Sequence, residues 1–231
     1  GAADAPVLAD MAPTRSAPGW IKQGGSLLHY DSDGSLTQEI SLHGGEENGI
    51  ARQIRGGATA DGRLAWTLES RRAWNPLKSK TAETRRLFRL LGSAGQELWK
   101  DDGVELPERG EPVIFSADGQ ALLLSRRTGD DWSVEARTWM GALRAGVGPF
   151  PRLISMALSP NGRFALARWG VLEKSDTHTF FDITAKARRD VPSSELLLGV
   201  AHIGDDGLAR SGSKIVLSFE VETSSASAGA Q

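Results

Sequence analysis

An Asp-Gly or Asn-Gly pair recurs four times in this chain, each time between two short apolar runs. The four pairs are Asp61-Gly62, Asp118-Gly119, Asn161-Gly162 and Asp206-Gly207, whose first residues are 57, 43 and 45 positions apart. Glycine supplies the positive φ that a tight turn needs, and the Asp or Asn side chain bonds the nearby backbone. Each pair therefore predicts a β-hairpin, and their recurrence predicts a repeated structural unit.

A second type of hairpin alternates with the first. It is predicted at residues 27–40, 87–100 and 180–191, where two apolar runs again flank a turn. The apolar runs are short and contain β-branched and aromatic residues, which favours strands over helices. Two alternating hairpins give a four-stranded antiparallel unit of the size of a propeller blade. The sequence thus predicts an all-β protein, a small β-propeller.

The two ends of the predicted propeller domain are complementary. The chain starts with one hairpin, at 26–42, and ends with strands predicted at 196–202 and 214–221. Pairing these segments would make one composite closing blade and would protect the exposed strand edges at both ends. We therefore predict four blades; five blades and an open arc are the alternatives.

The terminal segments differ in composition from the centre. Residues 1–19 are predicted to be a flexible segment, residues 20–222 the propeller, and residues 223–231 a disordered tail of Ser, Ala and Gly. The first 18 residues are rich in Ala and Pro and lack the parts of an intact signal peptide. A stretch of this kind is typical of a mature chain from which an export signal has been cleaved, so we expect an extracytoplasmic protein, periplasmic or secreted.

Charge and composition narrow the classes of partner. The 231 residues carry 27 basic and 29 acidic side chains, a net charge of −2, and no cysteine. This balance argues against a nucleic-acid partner. No apolar run approaches the roughly 20 residues of a membrane span. We expect a monomer whose partner is a protein or a glycan.

The hairpins also resemble a known family. Ser159-Pro160-Asn161-Gly162-Arg163-Phe164 and Ser116-Ala117-Asp118-Gly119-Gln120-Ala121 are similar to the Ser-Pro-Asp-Gly hairpin of TolB-type, WD-like propeller repeats. The resemblance is good over 110–190 and looser elsewhere, since Thr59-Ala60-Asp61 and Gly204-Asp205-Asp206 lack the Ser-Pro pair. It implies a propeller and no particular activity, because such propellers serve as docking platforms, peptidase gates and enzymes.

Catalytic and metal-binding motifs are not found in the sequence. The histidines do not lie at metal-binding spacings; they are His29, His43, His178 and His202. Asp31 and Asp33 begin like a calcium loop, but Leu42 occupies the position of the required glutamate. We predict no catalytic residue, no metal and no cofactor. Channel-facing carboxylates would support a carbohydrate-active hydrolase or lyase; the candidates are Glu69, Asp101, Glu105, Glu111 and Asp176.

Tryptophan is the unusual residue of this composition, with seven copies beside one tyrosine. Trp74, Trp132 and Trp169 lie on or just beyond the second strand of the repeat, where they would form a stacking surface if these strand ends share a face. Packing between blades is the rival interpretation.

Arginine pairs follow the same repeat strand at Arg71-Arg72 and Arg126-Arg127. They are candidates for binding an anionic group, with ordinary ion pairs as the rival interpretation. We favour a non-enzymatic binding or scaffold module that docks a protein or glycan through these tryptophans and arginines. A hydrolase or lyase, and a fragment of a longer sensor, are the alternatives.

Overall fold

The computed structural model describes residues 18–73, 84–170, 176–192, 202–211 and 214–218. Every regular element in these ranges is a β-strand, and the described strands form five antiparallel sheets. In each sheet, neighbouring strands are also neighbours along the chain. The chain divides into two compact units, Gly1–Asp102 and Gly103–Gln231.

The first unit contains two of these sheets. One consists of β1 (Gly19–Gln23), β2 (Ser26–Tyr30) and β3 (Leu36–Ser41). The other consists of β4 (Gly45–Glu47), β5 (Ile50–Ala58), β6 (Ala65–Ala73), β7 (Thr84–Leu91) and β8 (Glu97–Asp101). Trp20, Leu27, Ala65 and Leu91 form a buried cluster from both sheets. The indole Nε1 of Trp20 donates a hydrogen bond of 2.8 Å to the Gly92 carbonyl, so this large side chain is buried without an orphaned donor.

The second unit contains two four-stranded sheets and one short one. The first consists of β9 (Val113–Phe115), β10 (Ala121–Thr128), β11 (Asp131–Thr138) and β12 (Leu143–Phe150). The second consists of β13 (Leu153–Leu158), β14 (Phe164–Trp169), β15 (Thr177–Asp182) and β16 (Ala187–Pro192). The third consists of β17 (His202–Ile203), β18 (Leu208–Ser211) and β19 (Lys214–Ser218).

Strand β14 shows how the sheets of the second unit pack. Its Ala165 and Ala167 belong to a buried cluster shared with β10, β11 and β12. Its Phe164 and Leu166 belong to another cluster, which also includes Ile203 and Ala209. Successive side chains on a strand point to opposite faces, so β14 is covered on both of them. Because both faces of a central strand are buried, its sequence is a continuous apolar run and does not alternate between apolar and polar residues.

The repeated turns have one hydrogen-bonding pattern. In each of three turns a hydroxyl donates to the Asx side chain two residues later; the pairs are Thr59 with Asp61, Ser116 with Asp118 and Ser159 with Asn161, at 2.6, 2.6 and 2.8 Å. The same hydroxyl oxygens accept hydrogen bonds from the backbone amides of Leu64, Ala121 and Phe164. The glycines after the Asx residues have φ between 69° and 73°. The predicted hairpins are confirmed, and the hydroxyl is the constant partner of the Asx residue whether or not proline separates them.

The two ends of the described chain each form a three-stranded sheet. β2 pairs with β1 and β3, and β18 pairs with β17 and β19. The composite closing blade and the number of blades stay predictions. Residues 196–201 and 219–221 of the predicted C-terminal strands lie outside the described residues.

The predicted terminal segments also lie largely outside the described residues, which start at 18 and end at 218. The single domain predicted for 20–222 stays a prediction, beside the division into two compact units. In the described part of the chain, no helix has the length and apolarity to cross a membrane.

A buried carboxylate fixes the turn after β15. Asp182 is fully buried, and its Oδ2 accepts two hydrogen bonds from the Arg163 guanidinium at 2.8 and 3.0 Å. Its Oδ1 accepts the backbone amides of Thr184 and Ala185. Burial acts to raise the pKa of Asp182, but these hydrogen bonds outweigh it and hold the pKa below its usual value.

Replacing Arg163 with methionine is expected to lower the free energy of unfolding by about 2 kcal/mol at pH 7, because the buried Asp182 carboxylate loses its cation. Methionine keeps an apolar stem over the Phe164 ring, which the guanidinium carbon approaches to 4.6 Å. Because the pKa of Asp182 is lower in the folded than in the unfolded protein, its carboxylate stabilises the fold at pH values above the unfolded pKa of 3.8. This contribution is lost as the pH falls through the pKa of the folded protein. Urea unfolding of wild type and R163M between pH 7 and 3 measures the difference.

The matched control for this prediction is D182N. In the D182N background the carboxylate charge is absent, so R163M should cost less than half of what it costs in the wild type. An equal cost in both backgrounds would assign the effect of R163M to packing on Phe164.

Candidate functional site

Two of the predicted tryptophans come together at one end of the four-stranded sheets of the second unit. Trp132, at the start of β11, lies opposite Phe150 at the end of β12. Phe150 in turn stacks on Trp169 at the end of β14, with ring centroids 5.4 Å apart and planes inclined by 22°. Both tryptophans are half-buried and pack against the apolar core between the sheets. We call Trp132, Phe150 and Trp169 the aromatic cluster.

The hairpin between β10 and β11 positions Trp132. Thr128 pairs with Asp131, so only Gly129 and Asp130 form the loop, and Gly129 has φ 62°. A two-residue loop of this kind requires positive φ, which glycine adopts without steric cost. The tight turn fixes the register and places Arg127 directly opposite Trp132.

Arg127 is the cation of the aromatic cluster. Its guanidinium carbon lies 5.7 Å from the centroid of the Trp132 ring, within the range of a cation–π interaction. Its Nε donates to the Gly129 carbonyl at 2.9 Å, and an Nη donates to Asp130 at 3.2 Å. The turn therefore holds the charge close to the indole.

Arg126 and Arg127 do not form one cationic surface. Neighbouring residues on a strand point to opposite faces, and Arg126 Nε lies 3.4 Å from an oxygen of Glu135. Arg137 donates to the other Glu135 oxygen at 2.7 Å. Arg126 thus belongs to an ion-pair network, as its rival interpretation proposed.

In the first unit, Arg71 also belongs to an ion pair. Its Nε donates to the buried Glu69 at 2.6 Å, and Arg52 donates to the same oxygen at 2.8 Å. Burial acts to raise the pKa of Glu69, but the hydrogen bonds from the two arginines outweigh it and keep the pKa below its usual value. A general acid of a glycosidase requires the opposite shift. Arg72 is exposed on β6 opposite Thr84 of β7, and Trp74 lies outside the described residues.

Polar residues on β15 and β16 bind the edge of the aromatic cluster. The Trp169 indole donates to the Thr179 hydroxyl at 2.9 Å, which donates to Asp190 at 2.6 Å. Next to them His178 is buried, and burial followed by the charge of Arg168 lowers its pKa to about 4. His178 is therefore neutral at physiological pH and adds no charge to this end of the sheets.

Sequence reasoning missed Phe150, the residue that connects the two tryptophans. Its role depends on the pairing of β12 with β11, which includes two register shifts. The signal that could have identified it is the apolar residue at the end of the fourth strand, immediately before the next repeat. In the described residues, no group of three or more His, Asp or Glu side chains is placed to hold a metal ion.

Comparison with known proteins gives matches to solved structures alone. No protein-family model and no curated protein matches the chain. The chain is similar to TolB from Acinetobacter baumannii, with 17% identity and a TM-score of 0.37 over 77% of this chain and 43% of that chain. It is also similar to the β-propeller domain of the Trilobed protease from Pyrococcus furiosus, with 11% identity and a TM-score of 0.43 over 57% of this chain and 40% of that chain. A third similar structure is the Dos1 propeller, with 12% identity and a TM-score of 0.41 over 80% of this chain and 49% of that chain. The chain spans less than half the length of each of these structures.

The predicted architecture is confirmed by the strands themselves. Each sheet joins consecutive strands in antiparallel order, and two sheets of the second unit have four strands each. The same hydroxyl, Asx and glycine turn precedes β6, β10 and β14, each in a different sheet. The described chain has an all-β architecture, in which the four-stranded antiparallel sheets have the strand order predicted for propeller blades.

Proposed function

We propose that this chain is a non-enzymatic binding or scaffold module, which docks a protein or glycan partner at the aromatic cluster of the second unit. The observation that carries the proposal is the half-buried Trp132 ring, with the Arg127 cation over it and the Phe150–Trp169 stack beside it. Indole rings offer a large rigid surface at a small cost in conformational entropy, and arginine adds charge and planar hydrogen bonding. Both residue types dominate the binding energy of known interfaces.

The other predicted residues have supporting roles in this proposal. Arg126 and Arg71 hold the strands beside them through Glu135 and Glu69, and Arg72 adds an exposed charge on the first unit. Trp74 stays a predicted binding residue. We also propose that the protein acts outside the cytoplasm as a monomer, which cell fractionation and sedimentation equilibrium of the native protein test.

Replacing Trp132 with alanine is expected to weaken partner binding by about tenfold or more, because a half-buried indole at a contact surface contributes more than 1 kcal/mol. The measurement is site-specific photo-crosslinking in native cells, with the crosslinking amino acid at the exposed loop residue Asp130. The expected result is a discrete crosslinked product that W132A and R127A reduce strongly.

Met140 provides the matched control. It is 71% exposed and lies beyond the far end of β11, away from the aromatic cluster. M140A should leave the Asp130 product unchanged, and a crosslinker at position 140 should not yield it. Unchanged product in W132A, with the circular dichroism spectrum intact, would contradict docking at this cluster.

A further inference from the structure

A second feature of the second unit lies away from the aromatic cluster, at the opposite end of the same sheets. A crevice of about 310 Å3 opens between the first half of β12 and the turn that joins β15 to β16. Its apolar lining includes Ala145, Val147 and Phe181, which also belong to or pack on the core between the sheets. The volume is at the lower end of the range of small-molecule sites.

Three cationic side chains line this crevice: Arg144, Lys186 and Arg188. Within the described residues, neither Arg144 nor Lys186 has a carboxylate partner, and Arg188 approaches Asp190 only to 3.9 Å. Most other arginines of this unit lie within ion-pair distance of a carboxylate; Arg126, Arg127, Arg137, Arg152, Arg163, Arg168 and Arg210 all do. The crevice is therefore lined by two cations, Arg144 and Lys186, that have no carboxylate partner among the described residues, and by a third, Arg188, with one distant partner.

The one carboxylate in the lining does not neutralise them. Asp182 is fully buried, with one oxygen bound to Arg163 and the other to two backbone amides. All of its strong acceptor positions are thus used inside the turn. The charge that the crevice presents to a ligand is positive.

The backbone at Lys186 is a separate observation that points to the same place. Lys186 has φ 55°, a conformation that glycine and asparagine adopt far more readily than lysine. In the described residues the other non-glycine residue with positive φ is Asn48, one of the favoured types. A strained backbone that retains an unfavoured side chain is typical of a functional position. The strained residue here is one of the three basic residues that line the crevice.

We propose that this crevice binds a small organic anion, whose carboxylate or phosphate group contacts Arg144, Lys186 and Arg188 while its apolar body lies on Ala145, Val147 and Phe181. Guanidinium groups bind such oxygens through paired hydrogen bonds, and a partly enclosed apolar floor strengthens them by excluding water. This site is independent of the aromatic cluster, so either proposal can hold without the other.

The experiment is an NMR titration of the 15N-labelled chain with four probes. Benzoate and phenyl phosphate carry both an anionic group and an apolar body, benzyl alcohol lacks the charge, and inorganic phosphate lacks the apolar body. We expect saturable shifts of the amides of 144–147 and 186–188 with benzoate, phenyl phosphate or both, and the difference between these two identifies the preferred head group. Benzyl alcohol and inorganic phosphate should bind at least about tenfold more weakly.

The variants K186N and R188Q test the assignment, with R189Q as the matched control. Asparagine adopts positive φ readily, so K186N removes the charge and preserves the turn. Arg188 lies opposite Phe181 and faces the crevice side of β16, whereas Arg189 lies opposite Phe180 and faces the other side. K186N and R188Q should each weaken binding about tenfold, and R189Q should leave it unchanged.

Three outcomes would overturn the proposal: no saturable shift with either organic anion, equal binding of benzyl alcohol, or an equal effect of R189Q and R188Q. Thermal unfolding separates misfolding from lost recognition, because K186N should unfold at the wild-type temperature or above it. A third variant, A145F, fills the crevice from its apolar side while keeping all three cations. Its loss of binding with an unchanged amide spectrum elsewhere would place the ligand inside the crevice.

Discussion

Replacing Phe88 with alanine is expected to lower the free energy of unfolding by about 4 kcal/mol, the largest effect that we predict for a single side chain. Phe88 is fully buried in the middle of β7. The centroid of its ring lies 6.3 Å from that of Trp66 and 5.3 Å from that of Trp99. Removal of the Phe88 ring therefore leaves a cavity between two tryptophans. The indoles are large and rigid, and their packing allows little collapse into the vacated volume.

Urea unfolding followed by circular dichroism and tryptophan fluorescence measures this effect. The chain has two compact units, so the loss should occur in the transition that includes the first unit, where Trp66 and Trp99 lie. F88L is the control, because leucine keeps most of the apolar volume and should cost less than about 1.5 kcal/mol. A loss below about 1 kcal/mol in F88A would show that the Trp66–Phe88–Trp99 packing is loose.

Replacing Gly162 with alanine is expected to cost about 3 kcal/mol, for two separable reasons. Gly162 has φ 69°, which strains any residue that carries a Cβ. A Cβ at this position would also lie 2.7 Å from the Ala121 Cβ and 3.2 Å from the Ser116 Cβ. The steric conflict adds to the backbone strain, because Ala121 is buried and cannot move away without disturbing its neighbours.

Gly129 separates these two contributions. It has a similar φ of 62°, but a Cβ there meets no atom within 4 Å. G129A should therefore cost about 1 kcal/mol, the strain alone. The difference between the two variants in urea unfolding measures the close approach of the Asn161-Gly162 turn to the neighbouring sheet. Equal costs would mean that this approach relaxes freely.

The hairpins could be predicted from sequence because their determinants are local. The hydroxyl of Ser116, the carboxylate of Asp118 and the positive φ of Gly119 all act within four residues, so each turn is specified without knowledge of the rest of the chain. Strand β1 was missed because it has five residues and its two apolar side chains, Trp20 and Ile21, are adjacent, so the segment lacks the alternation that indicates a strand.

The candidate site was predictable in part for a related reason. Trp132 and Trp169, which occupy similar positions in their repeats, lie at the same end of neighbouring sheets, and their role in binding stays a prediction. The arginine pairs were harder to interpret, since adjacent residues on a strand face opposite ways: Arg127 lies over an indole, whereas Arg126 and Arg71 pair with glutamates. Partners such as Glu135 come from the next strand, and only the register identifies them. The crevice combines residues about 40 positions apart and has no sequence signature.

The order of strands in these sheets has a consequence for how the protein forms. Every strand in the described sheets bonds only to strands that precede or follow it directly in the chain. Few of its backbone pairings need the closure of a long loop, so the contact order within a sheet is low for a β protein. A hairpin leaving the ribosome already has its partner, and within each compact unit a completed sheet provides an apolar face on which the next sheet can pack.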